Sequence, residues 1–189
     1  MAGRALRRLY LLAEDQNGYF TAREAPSIGI RHGAITKMAA RGQIDQVHRG
    51  VYRLAQFPPS PHDQYVAATM WPVGTRGVLS HESALELLDL GDVNPDRIHI
   101  TVPKSHRVRR RIPELYALHR ADLRPEEIVT FYGIPVVTPT CAIEGALGNG
   151  LRDDLAMRAV DIARNKGYIR IEEHRRLRRL VSERRSAAT

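Results

Sequence analysis

The 189-residue chain has one cysteine, Cys141, which excludes an internal disulfide and a cysteine-rich zinc site. The residues around it, Thr138-Pro139-Thr140 and Ala142-Ile143, have the character of a packed helix start. The thiol therefore reads as a small buried hydrophobe and not as a nucleophile. No apolar run approaches about 18 residues, so no membrane span is expected. Residues 1–13 are rich in Arg and Leu but lack an uninterrupted apolar stretch and a cleavage site. They are expected to form a first helix, with Leu6, Leu9, Tyr10 and Ala13 on one face, and not a signal peptide. A cytoplasmic protein is the expectation. Internal repeats and low-complexity tracts are missing, and Gly145, Gly148 and Gly150 are wrongly spaced for a phosphate-binding loop.

Catalytic signals are equally sparse. The chain has eight histidines, but no two stand four residues apart as a helical zinc pair would require. His81 and Glu82 are adjacent, so on a helix they point about 100° apart, and His81 reads as a capping or surface residue. His99 alternates with Ile98 and Ile100 and is assigned to the polar face of a strand. A metal-dependent nuclease would need paired acids and a lysine. Asp96 and Lys104 bracket a strand, but no Glu-x-Lys motif follows a suitable acid. We therefore expect no catalytic residue, no metal and no cofactor.

What the chain does have is positive charge, in an uneven distribution. The formal net charge is +8. Residues 1–57 hold nine Lys or Arg against four Asp or Glu, whereas residues 58–189 hold 20 against 17. A small basic module is the footprint of phosphate binding. Within it, residues 19–54 have the pattern of a winged helix-turn-helix. Tyr19-Phe20 reads as a very short strand. Thr21, with Glu24 three residues on, has capping-box spacing and predicts a short helix containing Pro26. Gly29 supplies a turn, and a second helix is expected from about Arg31 to Arg41. Gly42 closes it where a left-handed residue costs least. Ile44–Val47 and Val51–Leu54 flank a His48-Arg49-Gly50 tip and read as a hairpin, the wing. Ile30, Ala34, Ile35 and Met38 recur at helical spacing and should face the core. Arg31, His32, Gly33, Thr36, Lys37, Ala40 and Arg41 are left outward. The candidate DNA-binding residues are Thr21, Arg31, His32, Thr36, Lys37, Arg41, His48 and Arg49, whose side chains suit base edges and phosphates. Leu6, Leu9, Phe20, Ile35, Met38, Val47, Tyr52 and Leu54 are the expected core.

Pro58-Pro59-Ser60-Pro61 can continue neither a helix nor a central strand. It sets the expected border between a DNA-binding domain at 1–57 and a mixed α/β domain at 62–189, an α+β chain overall. In the second part, residues 62–71 read as helix and Val78–Ser80 as a short strand. A helix opened by Ser80 or His81 follows, with Ala84, Leu85, Leu87, Leu88 and Leu90 apolar. Strands are expected at 97–102, 115–119, 128–132 and 134–137, and C-terminal helices at 140–148, 152–166 and 171–184. Leu85, Leu88, Ile98, Ile100, Val136, Ile143 and Leu147 begin its core. Two basic clusters remain, Lys104–Arg111 and the seven arginines of residues 170–185. Each reads equally as solvated surface, as a supplementary DNA contact, or as a docking surface for an acidic partner.

Gly29-Ile30, Ile35, Met38, Arg41-Gly42, Val47 and Arg49-Gly50-Val51-Tyr52-Arg53-Leu54 together resemble the winged-helix domain of AbiEi-type antitoxins. These are the antitoxin halves of type IV, AbiE-like toxin–antitoxin operons. The second domain is similar too, through Leu79-Ser80-His81-Glu82-Ser83-Ala84, Ile98-His99-Ile100-Thr101-Val102-Pro103, His119-Arg120 and Gly133–Pro139. The resemblance spans roughly residues 3–165. Gly33 and Ala34 depart from it, standing where bulkier polar residues are expected early in the recognition helix. The resemblance implies a non-enzymatic protein that binds inverted repeats of double-stranded DNA in its own promoter, with self-association on that DNA. It also implies that the second domain neutralises a nucleotidyltransferase-like toxin. A stand-alone winged-helix regulator, whose second domain binds an effector or dimerises, is the alternative. An enzyme with a winged-helix targeting module would need a convergent acid–base or metal set in residues 62–189.

Overall fold

The computed structural model describes residues 2–187. It is an α+β chain, with seven α-helices and two sheets among the described residues. Contacts divide it into two compact units. One holds the residues up to Arg76 together with Tyr132–Ile134, and the other holds Gly77–Phe131 together with the residues from Pro135 onward.

The first unit runs α1 (Ala2–Ala13), β1 (Tyr19–Thr21), α2 (His32–Ala40), β2 (Ile44–His48), β3 (Val51–Leu54) and α3 (Asp63–Met70). The expected helix after Thr21 is only a four-residue 3-10 turn, Ala25–Ile28, with Pro26 in its first positions and Gly29 closing it at φ +72°. A segment bounded by Pro at one end and a left-handed glycine at the other has no length in which to build an α-helix. α2 begins at His32 with Arg31 as its extended cap residue. It ends as a Schellman motif: Gly42 N–H donates to the Ala39 carbonyl and Gln43 N–H to the Met38 carbonyl, both at 3.0 Å, with Gly42 at φ +64°.

β3 is the centre of a three-stranded antiparallel sheet, in the order β1-β3-β2. Phe20 faces Tyr52 across one ladder and Ile44 faces Leu54 across the other. Leu9, Ala13, Phe20, Ala25, Ile30, Ile35, Met38, Ile44, Tyr52 and Leu54 form the core, with Leu6, Tyr10 and Ala34 packed at its edge. Val47 does not join it and is 37% exposed. The β2–β3 register shifts between Gln46 and His48, and the bulge makes Val47 the extra residue.

The proline run is fastened to the sheet. Arg53 donates to the carbonyls of Phe57 and Pro58 at 2.8 and 2.9 Å and pairs with Asp63 at 3.4 Å. α3, with Tyr65, Val66, Ala68 and Met70 buried, lies in the first unit. The compact division falls after Arg76, whereas the prolines alone set it between 57 and 62.

The second unit contains β4 (Val78–Leu79), α4 (His81–Leu87), β5 (Ile98–Val102), β6 (Tyr116–Arg120), β7 (Ile128–Phe131), β8 (Ile134–Val137, all but its first residue), α5 (Pro139–Gly148), α6 (Asp153–Asn165) and α7 (Ile171–Ala187). Its five-stranded sheet has the order β6-β5-β4-β8-β7. β4 runs antiparallel to β5 and parallel to β8, and β5 runs parallel to β6. All five residues of β5 are buried, so the expected polar face of this strand is covered as well. Leu85, Leu88, Ile98, Ile100, Val136, Ile143 and Leu147 are all buried as expected. Several α7 arginines are paired inside the unit: Arg176 with Glu144, Arg178 with Asp161 at 2.6 Å, and Arg184 with the Leu147 and Leu151 carbonyls at 2.8 and 3.0 Å. No helix among the described residues is long and apolar enough to cross a membrane.

The hairpin tip provides a test of backbone geometry alone. Gly50 has φ +83°, and a Cβ built on it would meet nothing within 4 Å. Gly50→Val should therefore cost about 1–3 kcal/mol through strain and not through a clash. Gly50→Asn should cost clearly less, since Asn tolerates the left-handed region. Urea unfolding of the two variants checks the order.

Candidate nucleic-acid interface

Two buried side chains set the orientation of α2. Ile35 and Met38 are 1% and 5% exposed, and Ile30 just before the helix is 3% exposed. Arg31, His32, Gly33, Thr36, Lys37, Ala40 and Arg41 consequently lie exposed on the other side. Five of the expected site residues, Arg31, His32, Thr36, Lys37 and Arg41, thus share one face. No Asp or Glu occurs between residues 25 and 44 to offset their charge. Thr36 Oγ donates to the His32 carbonyl one turn back at 3.3 Å, which leaves its lone pairs outward.

The remaining three expected residues gather at the tip of the β2–β3 hairpin. Arg49 is exposed and His48 half-buried. Thr21 comes to the same end of the sheet because it pairs with Val51, and Ala22 N–H donates to the Gly50 carbonyl at 2.8 Å. Thr21 is held locally by Glu24, whose Oε2 accepts from the Thr21 backbone N–H at 2.6 Å and from its hydroxyl at 2.7 Å. The capping-box spacing thus fixes a turn, and the short helix expected after it is a single 3-10 turn.

Sequence spacing set His81 and His99 aside as surface residues, yet a histidine cluster forms in the second unit. His81 opens α4, His99 lies in β5 and His119 in β6, and a ring nitrogen from each lies within 4.8 Å of the others. The register places them: Thr101 is opposite His119, so His119, Thr101 and His99 share one face of the sheet. His99 Nδ1 is 2.9 Å from His119 Nε2, and the His81 ring stacks on that of His119 with centroids 3.6 Å apart. His81 Nδ1 is 2.9 Å from Ser80 Oγ, which in turn accepts from the Thr101 hydroxyl at 2.8 Å. Burial pushes all three imidazoles below their ordinary range, His81 to about 3 with further lowering by His119 and His99. Glu82 partly offsets the effect at His99 and His119. Cys141 is half-buried, less than expected, and burial raises its thiol pKa, as suits an unreactive side chain.

Residues 7–55 match the family model described as "Transcriptional regulator, AbiEi antitoxin", so the AbiEi-type resemblance holds over that segment. That description is of a regulatory family. No curated protein matches the chain. Among solved structures the chain is similar to one described as the crystal structure of RV2827C protein from Mycobacterium tuberculosis. That similarity is at 16% identity and a TM-score of 0.42, and it covers 90% of this chain and 78% of that one.

Proposed function

We propose that the first unit is a winged helix-turn-helix that binds double-stranded DNA in the promoter of its own operon. In this reading α2 is the recognition helix and the β2–β3 hairpin is the wing. The observation that carries it is the exposed face of α2, with Arg31, Lys37 and Arg41 on the side opposite the buried Ile35 and Met38. Exposed cations alone would suit any polyanion. The order short turn, exposed basic helix, basic hairpin also suits a recognition helix laid in a major groove. Repression is the expected outcome, through inverted repeats bound by two copies, whose linked half-site contacts add avidity.

The antitoxin part of the proposal rests on the family matched over residues 7–55. Here the second unit neutralises a nucleotidyltransferase-like toxin encoded beside it. A second reading, a stand-alone regulator whose second unit binds an effector, is favoured by one feature, the convergence of three histidines in that unit. Co-expression with the neighbouring gene separates the two. Growth rescue together with co-purification supports the antitoxin role, and rescue by the first unit alone contradicts the assignment of that role to the second.

Two predictions follow the DNA-binding proposal. Replacing Arg31 and Lys37 together by Ala should abolish specific binding to the upstream region in a gel-shift titration, each base contact being worth about 1–3 kcal/mol. Because both residues are exposed, circular dichroism should stay that of the wild type. Arg49→Ala should weaken specific and non-specific duplexes about equally. It should also make the salt dependence of binding shallower by about one unit, as for one lost phosphate contact. An unchanged slope would place Arg49 away from the phosphates.

A further inference from the structure

Three polar atoms meet in the second unit. His99 Nδ1 lies 2.9 Å from His119 Nε2 and 3.5 Å from Glu82 Oε2. One hydrogen on Nδ1 can serve only one of these. Glu82 is anchored at its other oxygen, where Oε1 accepts from Asn149 Nδ2 at 2.9 Å, while Oε2 is buried and has no hydrogen-bond donor among the described residues. A buried carboxylate oxygen without a donor, 3.5 Å from an imidazole nitrogen, is costly, and a cation between the two would relieve that cost. A proton could be that cation, by making one ring an imidazolium. Burial of all three rings opposes it, and at His81 and His119 the neighbouring rings oppose it further. Neutral imidazole is the form that ligates a metal.

We propose that His81, His99, His119 and Glu82 form a mononuclear site for a divalent transition metal of the zinc class. Three nitrogens and one carboxylate oxygen are a ligand set that zinc accepts in tetrahedral geometry, with bonds of about 2.0–2.2 Å. Such bonds set ligand atoms about 3.3 Å apart. The His99–His119 and His99–Glu82 spacings of 2.9 and 3.5 Å are near this, and ring nitrogens of the three histidines lie within 4.8 Å of one another. The His81 ring has to turn out of its stack on His119 to aim a nitrogen at the ion. The surroundings are built around the ligands. Ser80 Oγ lies within hydrogen-bond reach of His81 Nδ1, which leaves Nε2 as the ligating atom. Ser83 Oγ accepts the His99 backbone N–H at 2.9 Å. A Cβ at position 145 would come within 3.2–3.3 Å of three atoms of the His81 ring, so glycine there makes room for it. His81 also keeps a left-handed backbone, φ +53°, that a histidine adopts only at a cost. Bound metal would tie the β4–α4 corner to β5 and β6.

The test uses the full chain, stripped with a chelator and titrated with Zn(II) in competition with a chromophoric indicator, and separately with Co(II) as a spectroscopic probe. One equivalent should bind, with visible Co(II) bands of a tetrahedral site and a rise in Tm in excess Zn(II). His119→Asn, with unchanged circular dichroism, should weaken Zn(II) binding at least about a hundredfold, more than the loss of a supporting contact does. Glu82→Gln should weaken it and alter the Co(II) spectrum. In the unaltered chain, imidazole NMR signals of three of the eight histidines should shift on adding Zn(II), a measurement that needs no variant. Failure of the folded wild type to bind one equivalent would overturn the proposal. So would undiminished binding in both variants, or shifts confined to histidines other than 81, 99 and 119.

Discussion

Ile35 and Met38 are held in a core with Leu9, Phe20, Ile44 and Leu54, and the position of every exposed cation on α2 follows from that contact. Burying either side chain is worth about 1.5–3 kcal/mol. Turning the helix to hide Lys37 or Arg41 would forfeit this and strand a charge in an apolar core. The Schellman motif at Gly42 then fixes where the helix stops and where β2 begins. β3, paired on both edges, fixes the tip of the hairpin and, through the Thr21–Val51 pair, the turn before α2. Helix face, hairpin tip and preceding turn are thus positioned by one small core and one central strand.

The second unit is organised around β5, which is buried from end to end. Its apolar residues pack as any core strand does. The polar residues between them cannot reach solvent and must find partners inside, which the Thr101–Ser80 and His99–His119 contacts provide. This buried polar layer distinguishes the unit from a plain structural platform. The arginines of α7 are less informative than their number suggests, because Arg176, Arg178 and Arg184 are engaged by acids or carbonyls of the same unit.

Local pattern made much of this legible. The apolar spacing of α2, the glycine at its end, the hairpin and every strand of the second sheet could be read from short windows of sequence. What escaped depended on distant residues. The Thr21–Glu24 spacing is real, but Pro26 and Gly29 leave too few residues for an α-helix. Val47 alternates correctly for a core position, yet a bulge turns it out. His99 alternates as a surface residue would, but strand alternation does not tell whether the second face is covered. Its meeting with His119 comes from the parallel β5–β6 register, and with His81 from the β4–α4 corner, neither of which has a local signal. The proline run does break secondary structure, but Arg53 ties it back to the sheet it leaves.

Hydrogen–deuterium exchange of the full chain, with and without a duplex of the sequence upstream of its own gene, tests the central claim most directly. Slowed exchange in residues 31–41 and at the 48–50 tip, with little change along α7, is the result this account predicts. Slowed exchange confined to 104–111 or 170–185, with α2 and the hairpin unaffected, would contradict it.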